Sequence, residues 1–328
     1  MTASLTAHVT APLTVSVVQY AALAGGIEAN VPEHVRLIED ADSHGARLVV
    51  FPELSLTGYD LPLLRGGDRF DGGVQFHGGD QWVASADRCL DPIREICRRT
   101  GITAVVGVPF REPDGTPRLA SLVIHPNGTE EAAFKAHLHG DEQNLFEAGP
   151  GYEAAPGRQA VPDQGAGAEH EAAPEHETAP AHEAAPEHGT APAHEAGPPH
   201  EAGPEHTAIR EPLLLDVDGW KIALAICFDA AHPAHSGAAA ASGADVYAVS
   251  ALYTQEEGHR LGLHLGARAM DNRMYSVLAN LGGRTPLGPS CGLSGFWGPD
   301  GLSMQQAVGT GTEVVTAVLR RGSLNRYR

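Results

Sequence analysis

Eight short β-rich runs punctuate the chain: Leu13 to Tyr20, Arg47 to Phe51, Ile102 to Pro109, Leu119 to His125, Trp220 to Ile226, Asp245 to Ser250, Tyr275 to Asn280 and Glu313 to Leu319. Segments with helical spacing separate many of them: Asn30 to His44 with Pro32 near its first turn, Asp80 to Arg99 ending before Gly101, Ala230 to Ser242, and Glu256 to Arg273. Strands alternating with helices can bury their apolar faces only by stacking in layers, so the pattern predicts a layered α/β domain.

One stretch breaks the alternation. His170, His176, His182, His188, His194, His200 and His206 recur every six residues in units such as HEAAPE and HEAGPP. Between Gln159 and Ile209 there are ten acids, Asp163 and nine Glu, and no Lys or Arg. With almost no large apolar side chain, this segment cannot offset the entropy of being ordered, so residues 151–207 are expected to be a disordered insert with polyproline II character. In that conformation six residues span about 18.6 Å, which sets successive imidazoles too far apart to chelate one ion without chain folding. The repeat therefore suits an expanded surface loop better than a metal site, and no metal is expected to be held there. Residues 13–150 and 208–320 then form one domain, between a flexible N-terminus (1–12) and a C-terminal tail (321–328).

The net charge of -19 repels phosphate backbones and anionic membranes, so neither nucleic acid nor a membrane is expected as a partner. The chain lacks a run of roughly 18 apolar residues and a basic-then-apolar leader, which predicts a soluble, cytoplasmic protein. Cys89, Cys97, Cys227 and Cys291 form no CxxC pair, which argues against a zinc cluster or disulfide framework. Cys89 and Cys97 are expected to pack against the core from one helix, and Cys291 to be a bystander thiol.

Three polar residues sit where apolar runs end. Cys227 closes the run WKIALAIC and leads through Phe228 and Asp229 into an Ala-rich helix. A helix N-terminus there would lower the thiol pKa and stabilise an oxyanion, although free cysteines are commonly inert and buried. Glu53 follows RLVVFP and is either a solvated loop carboxylate or a partly buried general base. Lys135, in AAFKAHL, is either a snorkelling surface lysine or a buried cation.

Taken together, FPELSLTGY, FKAHLHGDEQNLFEAG and ICFDAAHPAH, each led into by a strand pattern and in this order, resemble the nitrilase superfamily of carbon–nitrogen hydrolases. Residues 268–276, RAMDNRMYS, and the Gly-rich segment Ser290 to Gly301 are similar to later motifs of that family. The resemblance implies a four-layer αββα sandwich. It also implies a Glu53, Lys135 and Cys227 triad that hydrolyses a small amide through a thioester, with Glu142 orienting the substrate and the Phe228 backbone N–H helping to hold the oxyanion. It implies a homodimer or higher assembly built through outer helices.

Phe228-Asp229 after the nucleophile is closer to amidases and N-carbamoyl amide hydrolases than to nitrile-cleaving members, which carry Trp-Glu there, so amide cleavage is favoured. His232-Pro233-Ala234 departs from the family's Phe-Pro-Glu. The alternatives are an N-carbamoyl (ureido) hydrolase, a nitrilase, or a non-catalytic scaffold presenting the His-rich segment to metal. The loops Tyr59 to Gly73 and Leu252 to Gly258 are expected to shape the pocket, and His137 and His139 to serve the fold.

Overall fold

The computed structural model describes residues 11–66, 69–71, 74–76, 81–150 and 213–328. The expectations for the first ten residues and for the His-rich insert at 151–207 lie outside the described residues.

The first half of the chain supplies β1 (Leu13–Gln19), α1 (Gly26–Ser43), β2 (Leu48–Val50), α2 (Asp91–Thr100), β3 (Thr103–Arg111), β4 (Pro117–Ile124) and β5 (Glu130–Phe134). The second half supplies β6 (Leu214–Val217), β7 (Trp220–Ile226), α3 (Pro233–Ala241), β8 (Val246–Ala251), α4 (Gly258–Asn272), β9 (Tyr275–Asn280), β10 (Gly295–Trp297), β11 (Ser303–Gln306), β12 (Glu313–Leu319) and α5 (Arg321–Tyr327). They form two six-stranded sheets, ordered β12-β1-β2-β3-β4-β5 and β11-β10-β9-β8-β7-β6. At the centre of each sheet three strands run parallel, β1-β2-β3 in the first and β7-β8-β9 in the second.

Burial explains why these strands read as nearly unbroken apolar runs. Val15, Val17, Leu48, Val50 and Val105 face Ile222, Leu224, Val246 and Val277 in one core between the sheets. Alternate residues face outward, as a two-residue period requires: Val49, Ala104 and Val106 meet Leu37 and Ile38 of α1 and Ile93 and Ile96 of α2. Tyr247 and Val249 meet Leu261 and Leu265 of α4. Helices therefore cover both outer faces, which gives the αββα sandwich.

Three expectations change. The helix expected from Asp80 begins only at Asp91, where Pro92 occupies the first turn, a position that needs no N–H donor, and Asp87 caps the single turn before it. Cys97 is buried as expected, whereas Cys89, on that preceding turn, is exposed. The segment at 321–328 forms α5, which buries Leu324 and binds Asp245 Oδ1 through Arg321 (2.8 Å) and Arg328 (2.9 Å). Among the described residues no helix is long and apolar enough to cross a membrane.

Candidate active site

The carboxyl ends of parallel strands leave side chains free to converge, which is where α/β sheets place ligands. Beyond β2 the chain passes through Phe51 and Pro52 to Glu53 and turns sharply, with Leu54 in the left-handed region at φ 46°. Gly107 of β3 backs this turn. A β-carbon there would lie 2.1 Å from the Pro52 carbonyl oxygen and 2.5 Å from the Leu54 nitrogen. Gly107→Ala is therefore expected to push the Glu53 loop outward, lowering kcat at least about tenfold and stability by roughly 1–3 kcal/mol. Amide turnover and thermal unfolding check this; full activity would show that the loop yields without moving Glu53.

Lys135 follows β5, its backbone N–H still donating to the Leu119 carbonyl at 2.9 Å. That extension carries the side chain into the interior, where Nζ donates to Glu53 Oε1 at 2.7 Å and to Glu142 Oε1 at 2.6 Å. None of the three is more than 1% exposed. Glu142 is held firmly, since Oε1 also accepts from the Tyr59 hydroxyl at 2.5 Å and Oε2 from the His139 N–H at 2.8 Å. Glu53 Oε2, by contrast, is buried with no hydrogen-bond partner among the described residues. Burial, opposed by Lys135 and reinforced by Glu142, raises the Glu53 carboxyl to about 7. Burial alone would lower Lys135, but the Glu53 charge, joined by that of Glu142, outweighs it and holds the ammonium above its ordinary range.

Cys227 leaves β7 at φ 47°, a strained conformation for a side chain with a β-carbon. It opens a single turn of tight helix over Cys227–Ala231, and the Ala-rich helix α3 starts only at Pro233. The expectation of a thiol acidified by a helix terminus does not hold. Burial, and then the Glu53 charge, push the thiol well above its usual value, and Lys135 only partly opposes them. The resting sulfur is therefore a neutral thiol, donating to the Leu252 carbonyl at 3.7 Å, and it needs a base.

Sequence reasoning treated Asp229 only as part of a motif; the structure gives it a mechanical task. Its Oδ1 accepts from the backbone N–H of Ala136 (3.2 Å) and His137 (2.9 Å) and lies 2.8 Å from His137 Nδ1. Its Oδ2 accepts from the Ile226 N–H at 3.2 Å. One buried carboxylate thus fastens the segment after Lys135 to the strand end before Cys227. Arg268 of α4 fastens the other side of the turn by donating to the carbonyls of Ala230 and Ala231 at 2.9 and 3.0 Å. His137 serves the fold through Asp229, whereas His139 lines the cavity. Cys291 points away, to the Tyr253 carbonyl.

A cavity of about 140 Å³ lies over Cys227. Lys135, Glu142, Tyr59, Phe228 and Tyr253 line it, together with Arg260, whose side chain is 48% exposed. Glu53, Lys135, Cys227 and Glu142 are thus brought together, with Phe228 on the same cavity. The two loops expected to shape the pocket contribute Tyr59, Leu252, Tyr253 and Glu257 to its walls. Among the described residues no group of three or more His, Cys, Asp or Glu is placed to hold a metal ion.

A buried carboxylate and lysine thus stand with a half-buried cysteine at the strand ends of an αββα sandwich. The carbon-nitrogen hydrolase family matches residues 14–328, and the chain belongs to that family. Solved structures of an amidase from Nesterenkonia sp. AN1, of the nitrilase superfamily, share the fold. A cysteine-to-alanine variant superposes with a TM-score of 0.66 at 19% identity, over 96% of this chain and 94% of the other. The complex of such a variant with butyramide gives 0.66 at 20% identity, over 96% and 94%. A form showing Michael addition of acrylamide at the active-site cysteine gives 0.66 at 19%, over 96% of both chains. A hydrolase from Pseudomonas protegens, described as lying in the pqqF 5′ region, is 29% identical over 119 residues, which cover 35% of this chain and 42% of that protein. The chain thus matches less than half the length of this curated relative.

Proposed function

We propose that the protein hydrolyses a small non-peptide amide to a carboxylic acid and ammonia through a thioester on Cys227. The observation that carries this reading is the buried Glu53–Lys135–Glu142 cluster, with contacts of 2.7 and 2.6 Å, whose Lys135 and Glu142 line the cavity over the Cys227 thiol. A carboxyl raised to about 7 can both accept and return a proton near neutrality. Glu53 takes the thiol proton as Sγ bonds to the amide carbon, and the carbonyl electron pair moves onto oxygen. The Lys135 ammonium and the Phe228 N–H receive that oxyanion. Collapse breaks the C–N bond, and Glu53 hands its proton to the departing nitrogen. A water then gives a proton to Glu53 and attacks the thioester, the C–S bond breaks, and the proton returns to sulfur. Glu142, pinned by Tyr59 and His139, keeps Lys135 aimed at the carbonyl and orients the substrate amide.

The test is ammonia release from aliphatic amides, N-carbamoyl amino acids and nitriles, with and without chelator. Turnover of an amide that survives chelator and disappears in Cys227→Ala is the expected result. Turnover confined to carbamoyl compounds or nitriles moves the substrate class, and turnover that persists in Cys227→Ala overturns the thioester.

A further inference from the structure

We propose that His232 is a positioning residue for this reaction: stacked on His137, it holds the turn bearing Phe228 against the segment bearing Lys135, and the stack tolerates one positive charge but not two. The inference rests on the reading that Phe228 and Lys135 share the oxyanion. The imidazoles of His137 and His232 lie face to face, with centroids 3.7 Å apart and planes 11° from parallel. The Phe228 ring meets His232 edge-on at 5.0 Å and packs against His139 at 5.1 Å. His232 therefore couples the Phe228 turn to the loop after β5 in addition to the backbone contacts of Asp229, whose Oδ1 also meets His137 Nδ1.

The two imidazoles differ in what a proton would find. His137 Nδ1 lies 2.8 Å from Asp229 Oδ1, so a positive charge on His137 has its counterion. His232 Nε2 is buried with no hydrogen-bond partner among the described residues. The groups around it add no acceptor of their own: His137 and His139 come from the loop after β5, and Asp229 is engaged by His137 and three backbone N–H groups. His235 of α3 is bonded to the Tyr247 hydroxyl at 2.8 Å, and the Arg268 guanidinium of α4 adds positive charge. Burial, and then His137, hold His232 below the ordinary imidazole range, with the Asp229 charge only partly opposing them. Protonating it places a second charge against the first ring and against Arg268, which separates the stack and frees the Phe228 turn.

The experiment is log(kcat/KM) against pH with the amide found above, for the unaltered protein, His232→Phe and His232→Ala, with activity recovered on return to pH 8 to exclude unfolding. Free-enzyme groups govern this profile. The unaltered protein is expected to fall with slope one as Glu53 protonates, then with slope two at the acid end. His232→Ala is expected to lose kcat roughly ten- to a hundredfold with KM little changed. His232→Phe, which keeps a stacking ring, restores most of that loss and falls with slope one throughout. Slope two in His232→Phe, or slope one alone in the unaltered protein, overturns the proposal. Should His232→Phe not fold, side-chain ¹⁵N shifts of the unaltered protein decide: His232 charging without any change at His137 overturns it, and coupled change supports it. If no amide, carbamoyl compound or nitrile turns over, the hydrolase reading has failed on its own terms, and the same profile read from alkylation of Cys227 by iodoacetamide still tests the stack.

Discussion

Glu53→Gln is expected to lower kcat by on the order of 10⁴-fold while the protein stays folded. The amide keeps the size of the side chain and an oxygen for Lys135 Nζ, now 2.7 Å from Oε1, but it cannot take a proton. Without a base, the thiol, which burial still pushes above its usual value, stays neutral and unreactive. General bases account for about 10²–10⁴ of a rate, and groups that act as a unit lose more than any one share suggests. The double variant Glu53→Gln/Cys227→Ala should therefore be scarcely slower than either single change. Single-turnover acylation and circular dichroism check this; a loss below tenfold with the fold intact would remove Glu53 from the role of base. The same carboxyl fixes the neutral part of the pH profile. As the proposed base, Glu53 must be ionised to act, and its carboxyl is raised to about 7. Activity should therefore be nearly full above that value and fall about tenfold per unit below it. Lys135→Met offers a contrast. It removes the cation between two buried carboxylates and should cost stability as well, roughly 3–5 kcal/mol.

Much of this was legible in the sequence, for reasons that differ by element. All eight expected strands exist within a few residues, because β1, β2, β3, β7, β8 and β9 are covered on both faces and so carry continuous apolar runs. Four strands of the two sheets were not among the eight: β6, β10 and β11 are only three or four residues long, and β5 and β11 leave most of their residues partly or fully exposed, so none shows a clear periodic signal. Glu53, Lys135 and Cys227 stood out through the motifs around them rather than through their own residue types. The state of the thiol did not, because sequence shows that a helix follows but not that a tight turn intervenes or that a buried carboxylate stands beside the sulfur. Gly107 and Asp229 were equally hidden. Gly107 matters through the backbone of a loop more than 50 positions earlier, and Asp229 through backbone N–H groups 92 and 93 residues away.

Asp229→Ala is expected to lower both stability and kcat, although its carboxylate is bonded to the scaffold on both sides of the site. Removing it strands three backbone N–H groups, those of Ala136, His137 and Ile226, along with the His137 imidazole, in a place where Asp229 itself is 1% exposed. Each buried donor left unpaired costs about 1–3 kcal/mol, so the loss should reach roughly 3–5 kcal/mol after partial relaxation. Kinetically, the segments bearing Lys135 and Cys227 lose their shared anchor. A displacement of about 1 Å between nucleophile and oxyanion donor is worth on the order of 10² in kcat. Asp229→Asn separates the two effects. With its oxygen at the Oδ1 position it still serves Ala136 and His137, but its NH₂ then faces the Ile226 N–H, donor against donor. Asn should therefore recover part of the stability yet leave kcat depressed, because the contact it cannot make is the one nearest the nucleophile. Denaturant unfolding and kcat for the two variants decide the matter: an Asn variant with full activity would show that the Ile226 contact does not position Cys227. An Ala variant of unchanged stability would show that the loop finds other partners.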